Sequence, residues 1–291
     1  MTDDAEPVLD SGRVDVAAVI EVNGGPGIDH VSGLILALLI GGGLGLAAGG
    51  GSLPLLVAVA VVQGALVLSW VFGTGLPGRV GGIVLGALAA GGADAVVSVW
   101  PHDQLGTLLP VLALALPVAF VHQLTRGVVR ARVLESLSDI ALVVVAVVAL
   151  AALIQLRHEL GGDRIAPTVA FAIGGALVAG HLMDLVLPVP RFDPEVPRGL
   201  LAVVAAAVVG ALICQLRLGD QVEFVGGRAP FLGAAIGTLA ALFAVGSGFV
   251  QLATSLPGSG RAVRLRAVFG TGLPLALATP VAYLLCLAIH A

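Results

Sequence analysis

The sequence predicts an all-α fold, a polytopic integral membrane helix bundle of about nine transmembrane helices, and three observations support it. Of the 291 residues, 58% are hydrophobic and only 11% are charged, whereas about a quarter of the residues of a soluble domain are charged. The mean hydropathy is +1.08. The apolar residues fall in runs of about 20, the length of a spanning helix. Because every backbone polar group in hydrocarbon needs an internal partner, such runs are expected to span as helices.

The N-terminal region differs in composition from the rest of the chain. Residues 1–30 contain seven acidic residues against the single Arg13, and they offer little apolar surface to bury. They also lack the basic stretch followed by an apolar run that marks a signal peptide. We therefore expect a disordered acidic cytoplasmic tail at 1–30, followed by the transmembrane bundle at 31–291.

Nine apolar runs define the expected helices in order. Their approximate ranges are 31–49, 53–72, 80–99, 105–122, 136–156, 167–187, 199–216, 231–253 and 268–289. The first run is rich in glycine, which lowers helix propensity. An alternative with eight helices omits this run and places the acidic tail on the opposite side of the membrane.

The arginines predict the orientation of the bundle. All 14 basic residues are arginine, and the loop between His122 and Asp139 holds three of them, Arg126, Arg130 and Arg132. With nine helices, the side that carries this loop has ten arginines and the other side has four. Because arginine is enriched in cytoplasmic loops, we expect a multi-pass protein of the cell membrane with a cytoplasmic N-terminus and an outer C-terminus.

Common catalytic and cofactor motifs are absent from the sequence. There is no P-loop, no H-E-x-x-H and no C-x-x-C, and a chain without lysine has no Schiff-base or phosphate-binding lysine. Cys214 and Cys286 lie inside apolar runs, where packing is the expected role. We predict no cofactor and no metal site. The expected partner is the lipid bilayer, not nucleic acid, and helix–helix homo- or hetero-oligomers remain open.

Asp94 is the ionisable residue placed deepest in a predicted helix, in the run GGADAVVSV. A charge in hydrocarbon is expensive, so such a residue indicates a functional site by default. Asp94 is thus a candidate proton or cation site. The alternative is a carboxyl group that a neighbouring helix satisfies or that burial keeps protonated.

Five further residues are candidates at the predicted cytoplasmic end of the bundle. His181 and Asp184 lie three residues apart, which places them on one helix face, where they suit a hydrogen bond, a shared metal ion or general-base chemistry. We expect both to face the bundle and to lie near Asp139. Together with these three, His122 and Glu135 complete a possible polar ring. Alternatively, residues at helix ends reach interfacial water and need no function.

Glycine spacing, a repeat and a proline-rich loop add three weaker signals. Pairs of glycines four apart, as at Gly41 and Gly45, favour helix packing within the bundle over dimerisation. The heptapeptide VFGTGLP occurs at 71–77 and again at 268–274, as a helix-initiating turn or as a trace of duplication. The loop 188–199 contains four prolines, which predicts an irregular connector or a headgroup-binding loop with Arg191 and Arg198.

These features support three functions. The leading interpretation is an integral membrane protein that binds or transports a small or lipid-like solute. The first alternative is a cytoplasmic-face enzyme acting on lipid headgroups through the polar ring. The second is a non-catalytic scaffold or complex subunit whose glycine-lined helix faces dock partner helices. A cavity reaching the membrane midplane, converging carboxylates or an exposed glycine groove would favour these three functions respectively.

Overall fold

A computed structural model describes the chain over residues 26–73, 79–101, 105–125, 133–187, 189–193, 196–254 and 260–290. The helices are α1 Pro26–Gly50, α2 Ser52–Gly73, α3 Arg79–Val99, α4 Leu109–Thr125, α5 Val133–Leu150, α6 Ala152–His158, α7 Gly162–Val186, α8 Leu200–Leu218, α9 Arg228–Thr254 and α10 Gly260–His290. Short 3-10 turns occur at Leu105–Leu108 and Val222–Phe224. The strands are β1 Arg191–Asp193 and β2 Val196–Gly199.

The expected all-α membrane bundle is confirmed. Within the described residues, nine segments are long and apolar enough to cross a membrane, and α5 and α6 together form the fifth of them, Ser136–His158. Large apolar side chains cover the outside of the bundle, such as Leu38 at 60%, Leu114 at 69% and Leu216 at 83% exposure. A surface of this kind is stable against lipid tails but not against water.

Helix α10 lies at the centre of the bundle. It packs against α1, α2, α5 and α9, and its Tyr283 is fully buried. On one side of α10, helix α7 packs against α1 and α8, and α8 packs against α9. On the other side, α2, α3 and α5 pack on one another, and α4 packs against α3 and α5. The two candidate sites below lie in these two groups of helices.

The first helix begins earlier than the sequence predicts. It starts at Pro26 and contains the candidate span His30–Gly50, so residues 26–30 of the expected tail belong to a helix. Proline suits the first turn because its missing N–H has no helical partner there. The remainder of the expected tail, residues 1–25, lies outside the described residues. Nine spans among the described residues favour the nine-helix prediction over the eight-helix alternative.

The fifth predicted helix is interrupted, a feature the sequence does not indicate. The break lies at Ala151, between α5 and α6, and no proline or glycine stands there. The Ala151 N–H donates to Val148 O at 3.2 Å, three residues back. A 3-10 bond of this kind within a helix commonly marks a hinge or a site of strain.

The proline-rich loop contains regular structure, so the expectation of an irregular connector was wrong. Strands β1 and β2 pair antiparallel, with Arg191 opposite Gly199 and Asp193 opposite Val196. The Leu200 N–H donates to Pro190 O at 2.9 Å and closes the base of this hairpin. A two-stranded hairpin tolerates proline because both strands are edge strands with one unpaired side.

The described residues of both copies of the repeated heptapeptide are helical. Val71–Gly73 end α2, and residues 74–78 lie outside the described residues. The second copy, 268–274, lies inside α10, so a helix-initiating turn is wrong for it. Phe269 of this copy packs on Trp70, with ring centroids 4.0 Å apart. This ring contact joins the second copy to the residue that precedes the first copy.

Glycines allow close approach between several pairs of helices. A Cβ at Gly41 of α1 would meet the Cα of Gly174 of α7, and one at Gly210 of α8 would meet the backbone of Gly233 of α9. Backbones approach this closely only where side chains are missing.

Candidate functional site

Asp94 contacts a glutamine of the neighbouring helix and, through it, a backbone carbonyl of a third helix. Gln63 Nε2 donates to Asp94 Oδ1 at 3.0 Å and to Val147 O at 2.9 Å. These groups belong to α2, α3 and α5. Asp94 is 7% exposed and Gln63 is 1% exposed. We call the Asp94 carboxylate, the Gln63 amide and the Val147 carbonyl the Asp94 site.

The break between α5 and α6 explains why Val147 O is available to Gln63. In a regular helix this carbonyl accepts from the N–H four residues on, which belongs to Ala151. Ala151 instead donates to Val148 O. A carbonyl released in the interior of a membrane helix needs another donor, and the Gln63 amide supplies it.

The orientation of the Gln63 amide follows from its two partners. A carbonyl oxygen accepts but does not donate, so the NH₂ group must face Val147 O, and it faces Asp94 Oδ1 as well. The other end, Gln63 Oε1, is buried and has no hydrogen-bond partner in the described structure. An orphaned acceptor at a buried site needs an explanation, and here it lies beside a carboxyl group.

Sequence reasoning singled out Asp94 but missed Gln63. The signal was present, because Gln63 is the one amide side chain in the run 52–73. Amides hydrogen-bond across membrane helices, so a glutamine near the middle of a span is as informative as a charge. The contribution of Val147 was not visible in the sequence, since it depends on a carbonyl that a helix break releases.

A second polar group surrounds Arg198 at the hairpin end of the bundle. Arg198 Nη1 donates to Asp184 Oδ2 at 3.3 Å, and the Gly199 N–H donates to Asp184 Oδ1 at 2.8 Å. The side chains of Asp184 and His181 are buried, as the sequence predicts, at 3% and 4% exposure. We call His30, His181, Asp184 and Arg198 the Arg198 cluster.

His181 lies between the arginine and a second histidine. Arg198 Nη1 and Nη2 lie 3.3 Å from His181 Nδ1 and Nε2 respectively. A neutral imidazole has one acceptor nitrogen, so at most one of these contacts is a hydrogen bond. His30 of α1 meets His181 edge-on, with the two Nδ1 atoms 3.5 Å apart. Sequence reasoning had assigned His30 to the tail.

The Arg198 cluster has the geometry of a closed structural contact. Burial lowers the pKa of the Arg198 guanidinium, and the Asp184 carboxylate opposes that shift. Asp184 uses one oxygen for Arg198 and the other for the backbone of Gly199. The carboxylate therefore holds the end of the hairpin against α7 and has no oxygen without a partner.

Of the five residues of the expected polar ring, His181 and Asp184 meet through Arg198, and the other three lie on α4 and α5. His122 packs over Gly81 of α3, and its Nε2 is buried without a partner there. Asp139 is half-buried in α5. Glu135 lies in the first turn of α5, and its side chain is outside the described part.

Asp139 and Asp184 lie on helices that pack on different neighbours. Helix α7 packs chiefly on α1 and α8, and α5 packs chiefly on α3, α10 and α4. The short turn after α6 brings α6 against α7, but that contact lies at the opposite end of α7 from Asp184. The fifth and sixth spans are adjacent in sequence, but they contact each other mainly near the turn that joins α6 to α7.

The described residues contain no group of three or more histidine, cysteine, aspartate and glutamate side chains placed to hold a metal ion. Comparisons with protein-family models, with curated proteins and with solved structures give no match. The two polar sites and the surface of the bundle are the features that bear on function.

Proposed function

We propose that this membrane protein transports a small solute and that transport is coupled to protonation of Asp94. The observation that carries the proposal is the contact of the buried Asp94 carboxylate with Gln63 and, through it, with the broken helix α5. Transporter ion sites lie near mid-membrane where a helix is discontinuous. Gln63 and Val147 lie near the middle of the spans Ser52–Gly73 and Ser136–His158.

A proton fits the Asp94 site better than a metal cation does. Hard cations take six or more oxygen ligands, whereas Gln63 turns its NH₂ group towards Asp94. That arrangement suits an anionic carboxylate, which a proton neutralises. A protonated carboxyl group gains an O–H donor, and Gln63 Oε1, which has no described partner, becomes a suitable acceptor after the amide rotates.

The rotation links protonation to helix packing. Turning Oε1 towards the Asp94 hydroxyl takes the amide N–H away from Val147 O, so α2 loses its contact with α5 at the break. Neutralising Asp94 also lowers the cost of its exposure to hydrocarbon while the helices move. Protonation thereby favours a second arrangement of α2, α3 and α5, which is what coupling requires.

The orientation belongs to the same proposal. The arginine distribution supports a protein of the cell membrane with a cytoplasmic N-terminus and an outer C-terminus. In this orientation Asp94 lies in the outer half of its span Arg79–Val99. The outer surface is then nearer to Asp94 than the cytoplasmic surface is. Protons reach Asp94 from outside, and an inward proton gradient drives uptake of the solute.

Currents on a solid-supported membrane test the proposal. Proteoliposomes of the full chain are exposed to amino acids, sugars, organic anions and organic cations, each at acidic and at neutral pH. We expect one solute class to give a current that grows with acidity. Asp94→Asn should abolish this current, and infrared difference spectra should lose one carboxyl C=O band on acidification.

Asp220→Asn is the matched control, because Asp220 is an exposed carboxylate at the end of the bundle. This variant should keep both the current and the Asp94 band. A full pH-dependent current in Asp94→Asn would overturn the proposal, as would a wild-type protein that gives no solute-dependent current with any class.

The second candidate function is an enzyme that acts on lipid headgroups. The Arg198 cluster favours it, because two histidines, a carboxylate and an arginine meet at one end of the bundle. Turnover of headgroup-labelled phospholipids by the full chain, lost in His181→Ala, would support this function. A scaffold has less support, because the described glycine contacts at Gly41 and Gly210 are made within the bundle.

A further inference from the structure

A groove runs along the outside of the bundle between α1, α7 and α8. Its volume is about 390 Å³, within the range of about 300–1,000 Å³ typical of small-molecule pockets. Its lining includes Leu38, Gly42, Phe171, Gly174, Leu216 and Arg217. Leu38 and Leu216 are 60% and 83% exposed, so the groove opens on the apolar surface that faces lipid.

One end of this groove carries a cation. Arg217 Nε donates to Thr168 Oγ1 at 3.1 Å, and the guanidinium carbon lies 4.9 Å from the centre of the Phe171 ring, which lines the groove. Both contacts hold the guanidinium over the groove and leave its two terminal nitrogens as donors. In the described part of the chain, no carboxylate pairs with Arg217.

Another arginine at the same end of the bundle differs in this respect. Arg164 lies near α8 as well, and its guanidinium pairs with Asp220 at 3.9 Å. The positive charge of Arg217 therefore remains available to an anion, whereas that of Arg164 is already compensated. The pair provides a matched comparison of two exposed arginines.

The depth of each part of the groove matches the shape of a phospholipid. Arg217 lies in the last turn of α8, at the end of the span Leu200–Leu218, where headgroup phosphates lie. Gly42 and Gly174 lie near the middle of their spans, at the depth of the acyl chains. The guanidinium and the apolar part of the groove therefore lie at successive depths along the membrane normal.

We propose that this groove binds an anionic phospholipid of the surrounding bilayer, with its phosphate on Arg217 and one acyl chain beside Gly42 and Gly174. The arginine supplies a charge-assisted hydrogen bond to the phosphate. In a zwitterionic lipid the headgroup ammonium already offsets the phosphate charge, so an anionic lipid is favoured. The proposal is independent of proton coupling at Asp94, because the Asp94 site lies among α2, α3 and α5.

Native mass spectrometry of the full chain tests the site. The protein is released from detergent in the presence of phosphatidylglycerol and phosphatidylcholine in equal amounts. We expect one phosphatidylglycerol to remain bound under collisional activation. Arg217→Gln should reduce its retention about tenfold, the effect of losing one charge-assisted bond, and Arg217→Lys should retain most of it.

Filling the groove tests the position of the acyl chain. A Cβ at Gly42 or at Gly43 would meet no atom within 4 Å, so a side chain can begin at either position, but of the two only Gly42 lines the groove. Gly42→Leu should lose the bound lipid, whereas Gly43→Leu and Arg164→Gln should keep it.

Three results would overturn the proposal. One is equal retention of phosphatidylglycerol and phosphatidylcholine by the wild-type protein. Another is an equal loss of lipid in Arg217→Gln and Arg164→Gln, which would indicate general surface charge. The third is wild-type retention in Gly42→Leu, which would leave the groove without an acyl chain.

Discussion

Gly33 of α1 lies directly against the imidazole of His181 of α7, with no space between them for a Cβ atom. The missing side chain allows α1 to approach α7 at the Arg198 cluster. Gly33 O also accepts from Thr271 Oγ1 of α10 at 3.5 Å. One glycine therefore sets the distance between three helices, two of which carry a histidine of the cluster.

Gly33→Ala should destabilise the protein by about 1–3 kcal/mol, the usual cost of overpacking a well-packed interior. The added methyl group must displace His181, which Arg198 and His30 hold in place. The measurement is the thermal unfolding midpoint in detergent. Gly43→Ala is the control, because a Cβ at Gly43 would meet no atom within 4 Å. Equal midpoints for the two variants would contradict the prediction.

Asp184→Asn should destabilise the protein by about 3–5 kcal/mol, because removing one partner of a buried ion pair leaves the other charge uncompensated. An asparagine can still accept from the Gly199 N–H, but its NH₂ group would then face the donors of Arg198. The free energy of unfolding in mixed micelles measures the effect.

Asp220→Asn provides the comparison for this substitution. Its pair with Arg164 spans 3.9 Å, with both side chains mostly exposed, and exposed pairs contribute roughly 0–1 kcal/mol. If Asp184→Asn were as stable as Asp220→Asn yet inactive, the carboxylate would have a functional role, as the enzyme candidate requires.

The number and approximate position of the spans were predictable, because hydropathy and length are properties of contiguous residues. The runs at 53–72 and 80–99 match α2 and α3 to within about one residue. The inward orientation of His181 and Asp184 also followed from the sequence, since their spacing and the cost of charge in lipid are local arguments.

The partners of these residues were not predictable in the same way. Arg198 reaches Asp184 because β1 and β2 form a hairpin, and proline content alone indicated no regular structure there. The break at Ala151 has no proline or glycine to mark it and coincides with a hydrogen bond from another helix. Such contacts depend on the relative placement of helices, which a single sequence does not encode locally.

Deletion of the N-terminal residues should distinguish the acidic tail from the start of α1. Removing residues 1–25 is expected to leave the thermal midpoint unchanged, because the acidic composition offers little to bury. Removing residues 1–30 should lower it, since His30 is 7% exposed and contacts His181. A large loss in the shorter deletion would show that the tail packs on the bundle.

The ten-to-four distribution of arginines predicts the orientation of the bundle. Reporters that are active in only one compartment, fused after residue 130 and after Ala291, should report a cytoplasmic loop and an outer C-terminus. A fusion after Gly161, in the turn between α6 and α7, should report the outer side as well. Cytoplasmic activity at Ala291 would contradict the nine-span orientation.

The last prediction concerns the energetic coupling of Gln63 and Asp94. Gln63→Leu removes the donor of both Asp94 Oδ1 and Val147 O, and a buried acceptor left without a partner costs about 1–3 kcal/mol. In a double-mutant cycle with Asp94→Leu, the two effects should be non-additive by about 0.5–3 kcal/mol.

Ser98→Ala serves as the control partner, because Ser98 Oγ donates to the backbone carbonyl of Asp94 at 2.6 Å and not to Gln63. The effects of Gln63→Leu and Ser98→Ala on the free energy of unfolding should therefore be additive. Additivity in the Gln63 and Asp94 cycle would show that the contact contributes nothing to stability, and the link between Asp94 and α5 would lose its physical basis.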